Sequence, residues 1–130
     1  MMRLLVIEDV DSMRELLEHM VRGLAEAGGK YQFSGSARNG AEARFELGRR
    51  RPDLVLMDEV LPGESSLDLL EEFKAEGIPV VLLTSMKERT TGQTPLPAGA
   101  LGRIFKPEWR TLDVDSKRIA QELDQLLAVQ

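Results

Sequence analysis

The sequence predicts a doubly wound α/β fold built on five parallel strands, and three observations carry that prediction. Leu4 to Ile7, the centre of DLVLMD (Asp53 to Asp58) and VVLLT (Val80 to Thr84) are continuous apolar runs rather than alternating ones. Runs of that kind suit strands covered on both faces. Between them lie segments with the 3.6-residue apolar period of helices, and strand and helix alternate strictly along the chain, which is the order that right-handed crossovers between parallel neighbours require.

The first helix is read from Met13, Leu16, Leu17, Met20, Val21 and Leu24, and it is expected to end near Gly28 and Gly29. Asn39 with Glu42 three residues on reads as the cap of a second helix that must stop before Pro52. A third is expected over Ser66 to Glu76, capped by Ser65 or Ser66, with Leu67, Leu70 and Phe73 facing inward. A last helix carries Ile119, Leu123, Leu126 and Leu127. Gln32 to Ala37 and Gly102 to Phe105 supply the two weaker strands. The crossover before the final strand departs from the pattern. Lys87 to Pro97 holds Gly92, Pro95 and Pro97, so the fourth of the expected helices should be irregular.

Composition narrows the function. At 130 residues with 42% hydrophobic content the chain suits one domain, taken as 1–130. It has no cysteine, so neither disulfides nor thiolate metal sites are available, and a reducing, cytoplasmic setting is expected. The four-residue run Leu4 to Ile7 is too short for a signal-peptide core or a membrane span. A net charge of −5 makes the chain a poor match for nucleic acid or anionic lipid, and Arg49 to Arg51, the only basic cluster, reads as closing a helix.

In an open parallel sheet, ligands bind beyond the carboxyl ends of the strands near the point where strand order reverses. The first strand ends in Glu8 and Asp9, the third in Asp58, the fourth in Thr84 and Ser85, and the fifth in Lys106 followed by Pro107. Two carboxylates about 4 Å apart repel by about 4 kcal/mol at an effective dielectric near 20, so three together call for a cation. All-oxygen donors without His or Cys favour Mg2+.

Taken singly, these residues have ordinary readings: a strand-end Asp that caps a turn, a β-branched strand Thr, a surface Lys. Together they resemble the receiver domain of response regulators, the partners of histidine kinases in two-component signalling. The resemblance rests on Glu8-Asp9, on DLVLMDEVLPG with Asp58 and Pro62-Gly63, on VVLLTS with Thr84, on Ala98 to Ala100, and on Lys106-Pro107. Met13-Arg14 and SARNGAEA (Ser36 to Ala43) further resemble chemotaxis members, the single-domain motor regulators and the methylesterase receiver.

The resemblance implies a flavodoxin-like (βα)5 fold, with Asp58 as phosphoacceptor and Mg2+ held by Asp9, Asp58 and the Val60 carbonyl, Glu8 acting through metal-bound water. Lys106 and Thr84 would contact the phosphoryl group, with Ser85, Val60 and Met86 on the rim. It also implies a histidine kinase and a downstream protein target as partners, and self-directed phosphotransfer and autodephosphorylation rather than turnover of an outside substrate. A phosphohydrolase would want a second acid two residues after Asp58, where Val60 stands.

His19, among Glu15, Glu18 and Arg22, reads as a solvated helix residue. Trp109 reads as a partner contact or as cover for the last strand. Arg103 stands where such domains carry an aromatic that turns inward on phosphorylation, and Ser66 where they carry a glycine. Burying a guanidinium costs several kcal/mol unless it is paired, so Arg103 is expected to stay outside, with the signal passing instead through Lys87 to Pro97. The competing reading is a receiver-shaped module that binds its partner without phosphorylation.

Overall fold

A computed structural model of the chain describes residues 1–61 and 66–129. Pro62-Gly63 and Ser65, which entered the sequence reading, lie outside the described residues. The elements run β1 (Met2–Ile7), α1 (Asp11–Glu26), β2 (Tyr31–Ala37), α2 (Gly40–Arg49), β3 (Leu54–Asp58), α3 (Ser66–Ala75), β4 (Val80–Thr84), β5 (Ala100–Phe105) and α4 (Leu112–Ala128). Short 3-10 turns occupy Lys87–Thr90 and Trp109–Thr111. The five strands form one sheet, parallel throughout as the apolar runs predict, and the structure sets their order as β2-β1-β3-β4-β5.

Every residue of β3 and of β4 is buried. One sheet face, carrying Leu4, Val6, Leu56 and Leu83, packs on Leu17, Met20 and Val21 of α1 and on Ile119 and Leu123 of α4. The other, carrying Leu5, Ile7, Val55, Met57 and Leu82, packs on Ala43 of α2 and on Leu69, Leu70 and Phe73 of α3. Tyr31 is buried in the first layer, and its hydroxyl donates to Asp124 at 2.7 Å, tying β2 to α4.

The helix boundaries follow local chemistry. The Asn39 side chain accepts from the Glu42 amide at 2.9 Å, and the Glu42 carboxylate accepts from the Arg38 amide at 2.9 Å, so the free donors at the start of α2 are satisfied from both sides. Past the end of α1, Gly28 adopts φ +82°, a conformation costly for residues with a Cβ. Arg49 closes α2 by pairing with Glu46 at 2.6 Å, as expected of a cation in a last turn.

Two details of α3 correct the sequence reading. Leu67 is exposed, and its inward place is taken by Leu69 beside Leu70 and Phe73. Taking Leu67, Leu70 and Phe73 as a strict three-residue stripe ignores the 3.6 period, which brings position 69 round to the sheet. The Ser66 hydroxyl donates to the Glu59 carbonyl at 3.0 Å instead of accepting from its own helix. The break before β5 is present: among the described residues the connection from β4 to β5 holds the 3-10 turn Lys87–Thr90 and no α-helix.

Candidate phosphoacceptor site

Strand order reverses between β1 and β3, whose neighbours on either side are β2 and β4. The loops that leave β1 and β3 therefore part to opposite sides and open a crevice at their carboxyl ends. Backbone pairing continues just past the strands and fixes the residues there. The Glu8 amide donates to Ala37 at 2.9 Å, the Glu59 amide to Leu83 at 3.0 Å and the Lys106 amide to Thr84 at 2.9 Å.

Glu8, Asp9 and Asp58 each offer a carboxylate oxygen within 4.8 Å of the others. Glu8, Asp58 and Thr84 are buried and Asp9 is half-buried. Lys106 reaches across from β5, its ammonium 2.8 Å from Glu8 and 3.2 Å from Asp58. Burial pushes the Glu8 carboxyl up to about 7; the Lys106 hydrogen bond opposes the rise and the neighbouring Asp58 adds to it. Burial pulls the Lys106 ammonium the other way, but its bonds and charge contacts with Glu8 and Asp58 outweigh that, and its pKa lies above the usual lysine value.

The oxygen-only donor set, with three carboxylates converging and one ammonium to answer them, fits a hard divalent cation such as Mg2+. The Val60 amide donates to Asp58 at 3.3 Å, leaving its side chain exposed. The Thr84 hydroxyl accepts from the Met86 amide at 3.0 Å, so its own proton can be aimed at an incoming oxygen. Arg14 donates to the Glu8 carbonyl at 3.1 Å and to Asp11 at 2.6 Å, bracing the loop after β1. An open cleft of about 460 Å3 lies over Asp58, with Val60, Thr84, Ser85 and Met86 along it. The chain's residues expected at the site thus come together.

Arg103 does not stay outside. Its side chain is 6% exposed, pairs with Glu59 at 2.5 Å, and donates to the carbonyls of Thr94 at 3.0 Å and Pro95 at 2.8 Å. The desolvation argument fails because the charge is paired and each guanidinium nitrogen finds an acceptor: a carboxylate and two carbonyls replace water it gives up. Glu59 also takes a two-bonded contact from Arg89, at 2.9 Å on each oxygen. Burial alone would raise the Glu59 carboxyl, but Arg89 and Arg103 hold it below its ordinary value.

Sequence reasoning missed both Glu59 and Arg89. Glu59 could have been suspected as a further acid at the mouth of an already acidic site. Arg89 carries no such signal, since its partner lies 30 residues away in an irregular segment. A second cleft, about 530 Å3, lies beside the site rather than over it, between Leu67 and Leu70 of α3, Leu96 and Arg103. Trp109 is exposed and tilts against His19, ring centres 5.6 Å apart, so it packs on α1 rather than over β5.

Comparison with known proteins agrees with this geometry. The profile of the response regulator receiver domain matches residues 4–113. A protein-glutamate methylesterase/protein-glutamine glutaminase of Myxococcus xanthus is 35% identical over 98% of the chain, which spans only 37% of that longer relative. The receiver domain of the Erythrobacter litoralis PhyR response regulator superposes with a TM-score of 0.71 at 27% identity, covering 99% of this chain and 92% of that one. The response regulator domain of Thermotoga maritima CheB superposes with a TM-score of 0.74 at 22% identity, covering 99% and 98%, a likeness of fold. Among the described residues, no helix is long and apolar enough to cross a membrane. On the profile match and the relative aligned over nearly all of its length, this chain belongs to the response regulator receiver domain family.

Proposed function

We propose that the chain is a phosphoacceptor receiver: a cytoplasmic two-component signalling domain that takes a phosphoryl group from a histidine kinase onto Asp58 and thereby changes its affinity for a downstream protein. The observation that carries this reading is Lys106 held between Glu8 and Asp58 at the sheet's switch point, with Asp9 completing the acidic cluster.

An Asp58 carboxylate oxygen attacks phosphorus, the phosphorus–nitrogen bond of the phosphohistidine breaks, and the imidazole nitrogen keeps the electron pair and takes up a proton. Lys106 sits where it can follow the new charge, exchanging part of its contact with Glu8 for a phosphoryl oxygen. Thr84 donates its free proton to another oxygen. Glu8, Asp9, Asp58 and the Val60 carbonyl would hold Mg2+, which when bound offsets the crowded negative charge. Hydrolysis of the acyl phosphate later returns Asp58 to its starting state, so the chemistry is performed on the protein itself and no outside substrate is turned over.

Intact mass after incubation with acetyl phosphate and Mg2+ tests the reading. One added phosphoryl group is expected on the wild type and none on Asp58→Asn; a gain that survives in the variant refutes the assignment. The buried Arg103–Glu59 pair favours a second reading, a module whose binding surface is locked and reads no phosphoryl group. Beryllofluoride with Mg2+ separates the two, because only a working phosphoacceptor site should bind it and shift the amide spectrum.

A further inference from the structure

We propose that Arg89 is a second cationic ligand for the phosphoryl group on Asp58, reached by exchanging Glu59 for a phosphoryl oxygen; the proposal rests on the phosphoacceptor reading above. Arg89 lines the cleft over Asp58 together with Thr84 and Ser85, and it also forms part of the wall of the larger cleft beside it. Its planar fork, which now holds both oxygens of Glu59, is the geometry suited to phosphate.

The charges allow the exchange. Glu59 is one carboxylate answered by two guanidiniums, and Arg103 is anchored independently on Thr94 and Pro95. If Arg89 leaves, Glu59 keeps Arg103 and no buried charge is orphaned. The acyl phosphate carries about −1.5 to −2 charges at neutral pH in place of the single charge of the Asp58 carboxylate and presents three acceptor oxygens, so it outcompetes a single carboxylate for the spare cation.

Arg89 is also free to travel. It sits on one 3-10 turn, Lys87–Thr90, whose internal bonds are local: the Arg89 amide to Met86 and the Thr90 hydroxyl to Lys87. Such a turn can tilt without breaking a helix or a strand. Its side chain is 34% exposed, against 6% for Arg103, so the more solvent-exposed of the two guanidiniums is the one that lines the cleft over Asp58.

The test titrates wild type, Arg89→Ala, Arg89→Lys and Glu59→Gln with beryllofluoride and Mg2+, read by fluorine NMR, after wild-type phosphorylation by acetyl phosphate has been scored by mass. Arg89→Ala should bind beryllofluoride about ten-fold more weakly, the loss of one charge-assisted contact. Arg89→Lys should recover part of that loss. Glu59→Gln should bind a few-fold more tightly, because the competitor for Arg89 is gone. If Arg89 served only to hold Glu59 in place, Arg89→Ala and Glu59→Gln would shift affinity in the same direction, and that result overturns the exchange, as does wild-type affinity in Arg89→Ala. Absence of a mass gain in the wild type would instead overturn the phosphoacceptor reading beneath it.

Discussion

Arg103 of β5 and Glu59, the residue after Asp58, form a buried ion pair across 44 positions of sequence, with side chains 6% and 15% exposed. The pair, with the bonds to Thr94 and Pro95, fastens the irregular crossover to the floor of the sheet. Arg103→Ala should lower unfolding free energy by about 2 kcal/mol, less than the loss of a sole partner because Arg89 still answers Glu59. Urea unfolding measures it; a change within a few tenths of a kcal/mol would mean that the pair merely balances its desolvation.

Metal binding should depend on Asp9 more than on Glu8, because Glu8 already spends an oxygen on Lys106 at 2.8 Å. Asp9→Ala should weaken Mg2+ roughly ten-fold or more, given Coulomb energies of about 4 kcal/mol per charge pair at this range and about 1.4 kcal/mol per factor of ten. Calorimetry on wild type, Asp9→Ala and Glu8→Gln decides it, and equal affinities for wild type and Asp9→Ala would exclude Asp9 as a ligand.

The contribution of Glu8 to stability without divalent cation, read as wild type against Glu8→Gln, should fall as pH rises from 4.5 towards 7. Burial raises the Glu8 carboxyl from 4.5 to about 7, so in that window the folded chain keeps a proton that the unfolded chain has released. The contribution is whole below 4.5 and is lost as pH passes through about 7. Mg2+ binds the carboxylate form, so added Mg2+ should stabilise the fold more at the upper end of the window than at the lower. Urea midpoints at both ends, with chelator and with Mg2+, check the sign; Glu8→Gln should flatten the chelator curve.

The crossover after β4 should exchange its amides fast over 91–97, because those residues belong to no helix or strand. Beryllofluoride should slow that exchange if the segment carries the signal, as Arg89's position on its first turn suggests. Arg103→Ala should speed exchange at Thr94 and Leu96 even without ligand, since two of its bonds hold the carbonyls of Thr94 and Pro95. Exchange-coupled mass spectrometry reads both effects; protection unchanged by either would place the signal elsewhere.

Much of this protein is written in local pattern. The runs Leu4 to Ile7, Asp53 to Asp58 and Val80 to Thr84 announce strands buried on two faces, and the polar residues that end them announce the site, because a parallel sheet brings all its carboxyl ends to one edge. Pro95 and Pro97 likewise rule out a regular helix through backbone chemistry alone. Leu67 and Arg103 were misplaced for different reasons. The stripe of α3 centres on Leu69, Leu70 and Phe73, and at about 100° of helix rotation per residue Leu67 falls well outside it, so the assignment follows from which face of the helix packs on β3 and β4. Arg103 is hydrophilic by any local measure, and only the tertiary fold brings Glu59 from the next-but-one strand's end, with Thr94 and Pro95 from the crossover, to within bonding distance. The free energy of a buried charge is set by its partners rather than by its own polarity, and those partners are assembled by folding.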